Sequence, residues 1–399
     1  LIGDALVYFS GYKALEDDGL LGFARLVGKA MAERSPAVVV IDGFVALSRS
    51  AATQNEIKQF IRQVQTFSAS VGCTTVLLTC ELPGEVRPEH TIVDGLLELS
   101  DDLSGLRSLR HLRVRKARGT QQVRGRHTVE ISDRGMIVHP RFEAQAARAP
   151  APATRRAALD QAGRRRFGVP ELDAMMRGGV PAGSITMLLG ASGTGKTTLA
   201  LQYLRAGAED GETGLFFGMY EQPDELIAKC ARLGIPLADG IAAGRIHIAW
   251  ERPIEGVLDV LAERLISKLR ETGATRLCID GMHSLFRTVD FPERMRAVSA
   301  ALSEDLASMG ITTVYTLESP DLVAHEVAPI RIPIDDLSAI SHNVLTLRLI
   351  ERDGQFDRLL AIMKMRDSDY DRSIRELVIT DHNGVVVGPR PPSRRERPS

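Results

Sequence analysis

The sequence predicts an α/β chain in which a mostly parallel sheet, covered by helices on both faces, is laid down twice in tandem. Three observations predict it. Short apolar runs alternate with amphipathic stretches, two long segments match each other in the same order, and the length suits more than one packed core. The 399 residues allow two or three domains, and 44% hydrophobic residues are enough to fill a core in each. The 50 Lys and Arg nearly balance the 51 Asp and Glu, which argues against a wholly electrostatic nucleic-acid binder. No apolar run approaches the roughly 18 residues needed to span a bilayer, so no membrane-embedded role is expected. Cys73, Cys80, Cys230 and Cys278 lie far apart with no C-x-x-C pair. That spacing excludes a disulfide framework and a zinc ribbon, and a cytoplasmic location is expected.

In the second half of the chain, strands are expected at 185–189, 214–219, 246–250, 276–279 and 313–316, where apolar runs are short and bounded by turn residues. Between them, Leu258, Leu261, Leu265 and Leu269 mark one face of a helix, and Met295, Val298, Leu302 and Met309 mark another. After Asn343 the helical period stops. Residues 344–350, 359–363 and 377–379 read as strands, with turns at Asp353-Gly354 and Asn383-Gly384.

The internal match is detailed. PAVVVIDG at 36–43 answers TRLCIDG at 275–281, and TTVLLTCE at 74–81 answers TTVYTLE at 312–318. Lys116-Ala117-Arg118 answers Lys364-Met365-Arg366, Ile131-Ser132-Asp133 answers Ile379-Thr380-Asp381, and residues 3–7 answer 244–248. One domain is therefore written twice, at 1–143 and 167–390. In the second copy 77 residues, 167–243, precede Gly244, whereas only Leu1 and Ile2 precede its counterpart Gly3. The repeat thus leads us to expect roughly 75 residues, including a phosphate loop, to be missing from the front of the first copy, as in a fragment or a sequence with a misplaced start. Between the copies, residues 144–166 are rich in Ala, Pro and Arg. This stretch is expected to be a linker with solvated arginines, and 391–399 a disordered tail.

Gly190-Ala191-Ser192-Gly193-Thr194-Gly195-Lys196-Thr197 fits G-x-x-x-x-G-K-[ST] at every fixed position. An apolar strand precedes it, and Leu199, Tyr203 and Ala206 continue it at helical spacing. Glycines let backbone N–H groups close around phosphate oxygens, and the helix start adds a favourable partial positive charge. The expected nucleotide-binding set is Gly190, Ala191, Ser192, Gly193, Thr194, Gly195, Lys196, Thr197 and Thr198. Lys196 is expected to reach the β- and γ-phosphates of ATP, and the Thr197 hydroxyl to ligate Mg²⁺. Asp280 closes the run Leu277-Cys278-Ile279, where a second-strand acid for that metal belongs. Asp42 holds the same place in the first copy.

These residues, together with Gly168-Val169-Pro170-Glu171-Leu172-Asp173, Gly178-Gly179, Glu221 and Lys364-Met365-Arg366, resemble the KaiC family of RecA-like ATPases. The resemblance implies tandem RecA-like P-loop domains, the first of them incomplete here. It implies an ATP-hydrolysing regulatory or signalling ATPase that assembles as a hexamer with nucleotide between subunits. The family carries paired glutamates after its second strand, one of which activates the attacking water or hydroxyl. Glu221 matches the first, while the second position holds Gln222, an amide that cannot accept a proton. Lys364 and Arg366 match a K-x-R segment that reaches the nucleotide of the adjacent subunit, so they join Glu221 and Lys196 as expected catalytic groups. Asp367 and Tyr370 stand where the family has Gly and His, which weakens the expectation for that contact. Family autophosphorylation uses a vicinal Ser-Thr pair, for which this chain offers only Ser338-Ala339. A serine/threonine autokinase and a DNA-handling ATPase are the alternative functions. The basic residues lack the interleaved aromatics that would favour a nucleic-acid partner.

Overall fold

A computed structural model of the chain describes residues 5–80, 88–104, 106–146, 163–252, 256–289, 291–319, 341–352, 354–366 and 368–388. Its contacts divide it into two units, Leu1–Glu98 with Arg113–Arg124, and Leu99–Leu112 with Gly125–Ser399.

In the first unit, α1 (Tyr12–Arg34) leads to β1 (Val38–Ile41), the short α2 (Phe44–Ser50), α3 (Gln54–Val71), β2 (Thr74–Leu77) and α4 (Pro88–Ile92). The Thr53 hydroxyl caps α3 by accepting the Glu56 N–H, and Gly72 ends the helix in the left-handed region. Leu20, Ala24 and Val27 of α1 pack with Phe60, Ile61 and Val64 of α3 and with Ile41 of β1. β1 and β2 pair in parallel, with Val38 opposite Thr74. The hairpin β3 (Gly95–Ser104) and β4 (Arg107–Ala117) follows.

The second unit contains residues 99–112 of that hairpin, β5 (Arg126–Ser132), β6 (Gly135–His139) and α5 (Phe142–Ala146). Next come β7 (Arg164–Arg165), α6 (Pro170–Met175), β8 (Val180–Pro181), β9 (Ile185–Gly190), α7 (Lys196–Glu209), β10 (Gly214–Gly218), α8 (Pro223–Arg232) and α9 (Leu237–Ala242). The chain continues through β11 (Ile246–Trp250), α10 (Leu258–Thr272), β12 (Arg276–Asp280), α11 (Met282–Arg287), α12 (Met295–Ser308) and β13 (Thr312–Glu318). It closes with β14 (Asn343–Arg352), β15 (Gln355–Met365), β16 (Arg375–Thr380) and β17 (Gly384–Val387). The main sheet has the order β11-β10-β12-β13-β9-β14-β15-β16-β17. It is parallel from β11 to β14 and antiparallel beyond. Strand alternation splits its side chains between two cores. Met187, Leu189 and Phe217 face α10, α11 and α12, while Leu188, Phe216, Cys278 and Val314 face α6, α7 and α8. No described helix is long and apolar enough to cross a membrane.

The expected strands all form, most of them a residue or more longer than the periodicity predicts. β17 is additional: the expected turn at Asn383-Gly384 opens directly into it, with Gly384 in the left-handed region.

The repeat recurs in the geometry. Val38 faces Thr74 and, at the matching positions, Arg276 faces Thr312. Gly43 and Gly281, both left-handed, precede α2 and α11. β3 and β14 are each ten residues long, and β4 and β15 each eleven. Burial is where the copies part. Val40 is 58% exposed and its counterpart Cys278 0%; Leu97 is 62% exposed and Leu345 0%. In the second copy β9 and α7 cover these positions, and among the described residues the first copy contains no counterpart of that strand and helix.

By contact the chain divides elsewhere than at the expected limits. Residues 125–146 group with the second unit because their polar atoms are satisfied there. Phe142 N–H donates to Asp259 (2.9 Å), and Arg294 bridges Glu143 (2.8 Å) and the buried Asp259 (2.7 Å). The end of the expected linker is structured as well. Arg164 and Arg165 form β7 against β8. Arg164 donates to the carbonyls of Met176 and Gly179, Arg165 pairs with Glu212 (2.7 Å), and Arg166 with Asp210 (2.9 Å) and Glu209 (3.1 Å). The acids at the end of α7 thus neutralise arginines expected in solvent. Residues 147–162 and 391–399 lie outside the described residues.

Arg276, at 1% exposure, opens β12 inside this cluster. It bonds to Glu212, donates to the Tyr203 and Arg166 carbonyls and stacks on the Tyr203 ring. Arg276→Met leaves these acceptors without their cation and is expected to lower the unfolding free energy by about 3–5 kcal/mol. Lys268→Met, in the exposed pair with Glu271, is expected to change it by less than about 1 kcal/mol in the same urea titrations.

Candidate nucleotide site

The candidate site lies at the carboxyl ends of β9, β12 and β10, where parallel α/β sheets characteristically receive ligands. β9 is buried throughout and delivers the chain into the glycine loop. A Cβ on Gly190 would stand 2.3 Å from the Leu347 carbonyl oxygen, so only glycine fits beneath β14. Gly193 and Gly195 adopt φ of 78° and 99°, conformations costly for other residues. The Thr194 hydroxyl closes the turn onto the Ala191 carbonyl at 2.8 Å. α7 then starts at Lys196 and turns its first N–H groups toward the loop.

Lys196 Nζ donates to the carbonyls of Gly190 (2.8 Å) and Ala191 (2.7 Å). Burial holds its ammonium below the usual lysine range, opposed by the negative charges of Glu318 and Asp280. Thr197 Oγ1 donates toward both carboxylate oxygens of Asp280 at 3.1 Å, while Thr198 is buried. Asp280 also accepts from Thr316 Oγ1 at 2.5 Å, and that hydroxyl in turn accepts the Gly281 N–H. Burial pushes the Asp280 carboxyl above the ordinary carboxylate range. The hydrogen bonds from Thr316 and Thr197 pull it back, Glu221 adds to the rise, and Lys196 opposes it. The structure thus brings Lys196, Thr197 and Asp280 together.

Glu221 follows β10 and is held by Lys229 of α8 through both carboxylate oxygens, at 2.7 and 3.1 Å. Gln222 is exposed at the N-cap of α8 and makes no capping bond. Lys364 and Arg366 are not brought to the loop. Lys364 pairs with Val344, which lies level with Met187 on β9, three residues before Gly190 and about 10 Å along the strand. Its Nζ donates to the Ser341 carbonyl at 2.9 Å, and Arg366 N–H donates to the His342 carbonyl. Tyr370 donates to the Met363 carbonyl. Ser338 and Asp367 lie outside the described residues. In the first copy Asp42 is exposed, and its carboxylate accepts the Gly43 N–H.

Sequence reasoning missed Thr316 and Lys229. Thr316 was legible only as an alternating strand residue. Lys229 lies eight residues after Glu221, across the start of a helix, where spacing alone gives no pairing signal. The Gly168–Asp173 motif proves to be packing: the Asp173 carboxylate accepts the Phe167 and Gly168 N–H groups, and left-handed Gly168 lets the segment close on Ala206 of α7.

A largely parallel sheet with a glycine loop at its carboxyl end, a half-buried lysine at the start of the following helix and a carboxylate closing the next strand but one define a RecA-like P-loop ATPase domain. A family model described as the KaiC ATPase matches residues 16–143 and 166–392. The chain belongs to the KaiC family of ATPases. It is 26% identical over 357 residues to the circadian clock oscillator protein KaiC of Acaryochloris marina, covering 87% of this chain and 65% of that relative. The protein of the same name from Thermostichus vulcanus matches to the same extent. That of Synechococcus elongatus is 25% identical over 365 residues, covering 89% of this chain and 66% of its own length. The chain therefore spans about two thirds of the length of these relatives.

The raised Asp280 titration sets a testable balance. A carboxyl whose folded pKa lies above its unfolded value loses native stability as pH rises from the ordinary carboxylate range through the folded pKa. In nucleotide-free protein, Asp280→Asn is therefore expected to raise the thermal midpoint at neutral pH. The gain should shrink as the pH is lowered toward the ordinary carboxylate range. A midpoint difference independent of pH would contradict the assignment.

Proposed function

We propose that the second copy binds ATP with Mg²⁺ at loop residues Gly190 to Thr198 and hydrolyses the γ-phosphate, as part of a ring-forming regulatory ATPase. The observation that carries this reading is the convergence of Lys196, Thr197 and Asp280 at the start of α7. The oxygen donors of Thr197 and Asp280 fit a hard divalent cation. Among the described residues, no cluster of three or more His, Cys, Asp or Glu is placed to hold a metal, so a cation here relies on phosphate and water oxygens, as Mg²⁺ does. When bound, Mg²⁺ supplies charge neutralisation on the phosphate oxygens.

On this reading the loop N–H groups and Lys196 hold the phosphates, and Lys196 moves from the Gly190 and Ala191 carbonyls onto phosphate oxygen. Glu221 takes the proton of the attacking water, while the Gln222 amide can orient water without accepting that proton. Lys364 and Arg366 lie well away from the loop of their own chain, which supports their serving the site of a neighbouring subunit, as in a homo-hexamer. The autokinase alternative rests on Ser338, for which no described geometry speaks. The DNA-handling alternative loses Arg165 and Arg166, whose charges are committed to Glu209, Asp210 and Glu212.

Lys196→Ala is expected to weaken ATP binding by about 100-fold or more in calorimetric titration, on the scale of removing one partner of a buried charge pair. Unchanged ATP affinity would overturn the site. Sedimentation velocity at saturating ATP and Mg²⁺ is expected to show assembly beyond the monomer. That assembly should weaken in Lys364→Ala/Arg366→Ala, and a monomer throughout would overturn the interfacial reading.

A further inference from the structure

We infer that Glu318 is a second carboxylate of the nucleotide site, orienting the attacking water for Glu221; the inference rests on the hydrolytic reading above. β13 is buried at every position from Thr312 to Leu317 and then ends in one exposed acid. Side chains alternate along a strand, so Glu318 shares a face with Thr316, two residues earlier. Thr316 Oγ1 donates to Asp280 and accepts the Gly281 N–H, which fixes that face toward the end of β12. Glu318 stands about 7 Å further along the same face, at the carboxyl end of β13.

Its position is also fixed from the side of the loop. Glu318 is the register partner of Gly190. The next residue, Ser319, donates its N–H to the Gly190 carbonyl at 3.0 Å, and Lys196 Nζ donates to that same oxygen. The charge of Glu318 accordingly acts on Lys196. An acid anchored through its own backbone therefore stands between the strand that carries Asp280 and the lysine that grips the phosphates.

The chemistry has a place for it. In hydrolysis the water oxygen bonds to the γ-phosphorus, the bond from that phosphorus to the bridging oxygen breaks, and ADP leaves with the electron pair. One proton of the water passes to Glu221. The other needs an acceptor to fix the angle of attack, and a carboxylate accepts more strongly than the Gln222 amide. Glu318 on β13 fills the role that a second glutamate at position 222 would have filled from α8.

The test measures ATP affinity and turnover separately in Glu318→Ala, Glu318→Gln, Glu221→Gln, the Glu221→Gln/Glu318→Ala double variant and Lys196→Ala. Glu318→Ala is expected to lower kcat by about tenfold or more while leaving the ATP Kd within about threefold. Glu318→Gln, which keeps one acceptor oxygen, is expected to recover part of the loss. The double variant is expected to lose much less than the product of the two single losses, because both groups act on one water. Turnover of Glu318→Ala within about twofold of the unsubstituted chain, or a loss of ATP affinity as large as the loss of kcat, overturns the inference. If Lys196→Ala abolishes turnover while Glu318→Ala does not change it, this inference alone fails. An unsubstituted chain that neither binds nor hydrolyses ATP removes the hydrolytic reading and the inference together.

Discussion

The Asp280 carboxylate, almost wholly withdrawn from water, is the constraint on which the rest of the site depends. Burying a carboxylate without partners costs several kcal/mol, and here hydroxyls from two different elements offset part of that cost. Thr197 comes from the first turn of α7 and Thr316 from β13. Satisfying Asp280 therefore fixes the start of the phosphate-loop helix against the end of a strand contributed by residues more than 80 positions away. The loop glycines serve the same end, because the approach of β9 to β14 leaves no room for a side chain at Gly190.

β12 carries buried charge at both ends. Arg276 at its start is saturated by Glu212, two backbone carbonyls and the Tyr203 ring. Asp280 at its end has hydroxyl partners and, among the described residues, no cation in hydrogen-bond contact. The difference matches two jobs. The fully paired end locks α7 and the β7 segment to the sheet, whereas the incompletely compensated end is the one at which the proposed function would seat a metal ion. A sheet anchored at one edge and left electrostatically unfinished at the other is organised for ligand capture.

Much of this was legible in the sequence, because the local signals agreed with the global fold. The loop motif, the apolar alternation of the strands and the leucine stripe of α10 each specify an element from residues close in sequence. The tandem match identified the corresponding segments, and the structure adds that Val38 and Arg276 meet Thr74 and Thr312 in one shared register. What escaped depends on neighbours distant in sequence. Arg165 and Arg166 read as solvated because nothing nearby announces Glu212 and Asp210. Thr316 is an ordinary β-branched residue until strand order places it beside Asp280. The grouping of residues 125–146 with the second unit turned on Asp259 and Arg294, more than a hundred positions further along.

The contrast between Val40 and Cys278 bears on how the first half of the molecule must be handled. Bare valines and leucines along paired strands are adhesive, and open strand edges beside them invite a neighbouring chain to zip on. The positions that the second half seals beneath a helix are bare among the described residues of the first half. Excised and concentrated by itself, it would clump, and the yield of soluble material would report how well that side is screened.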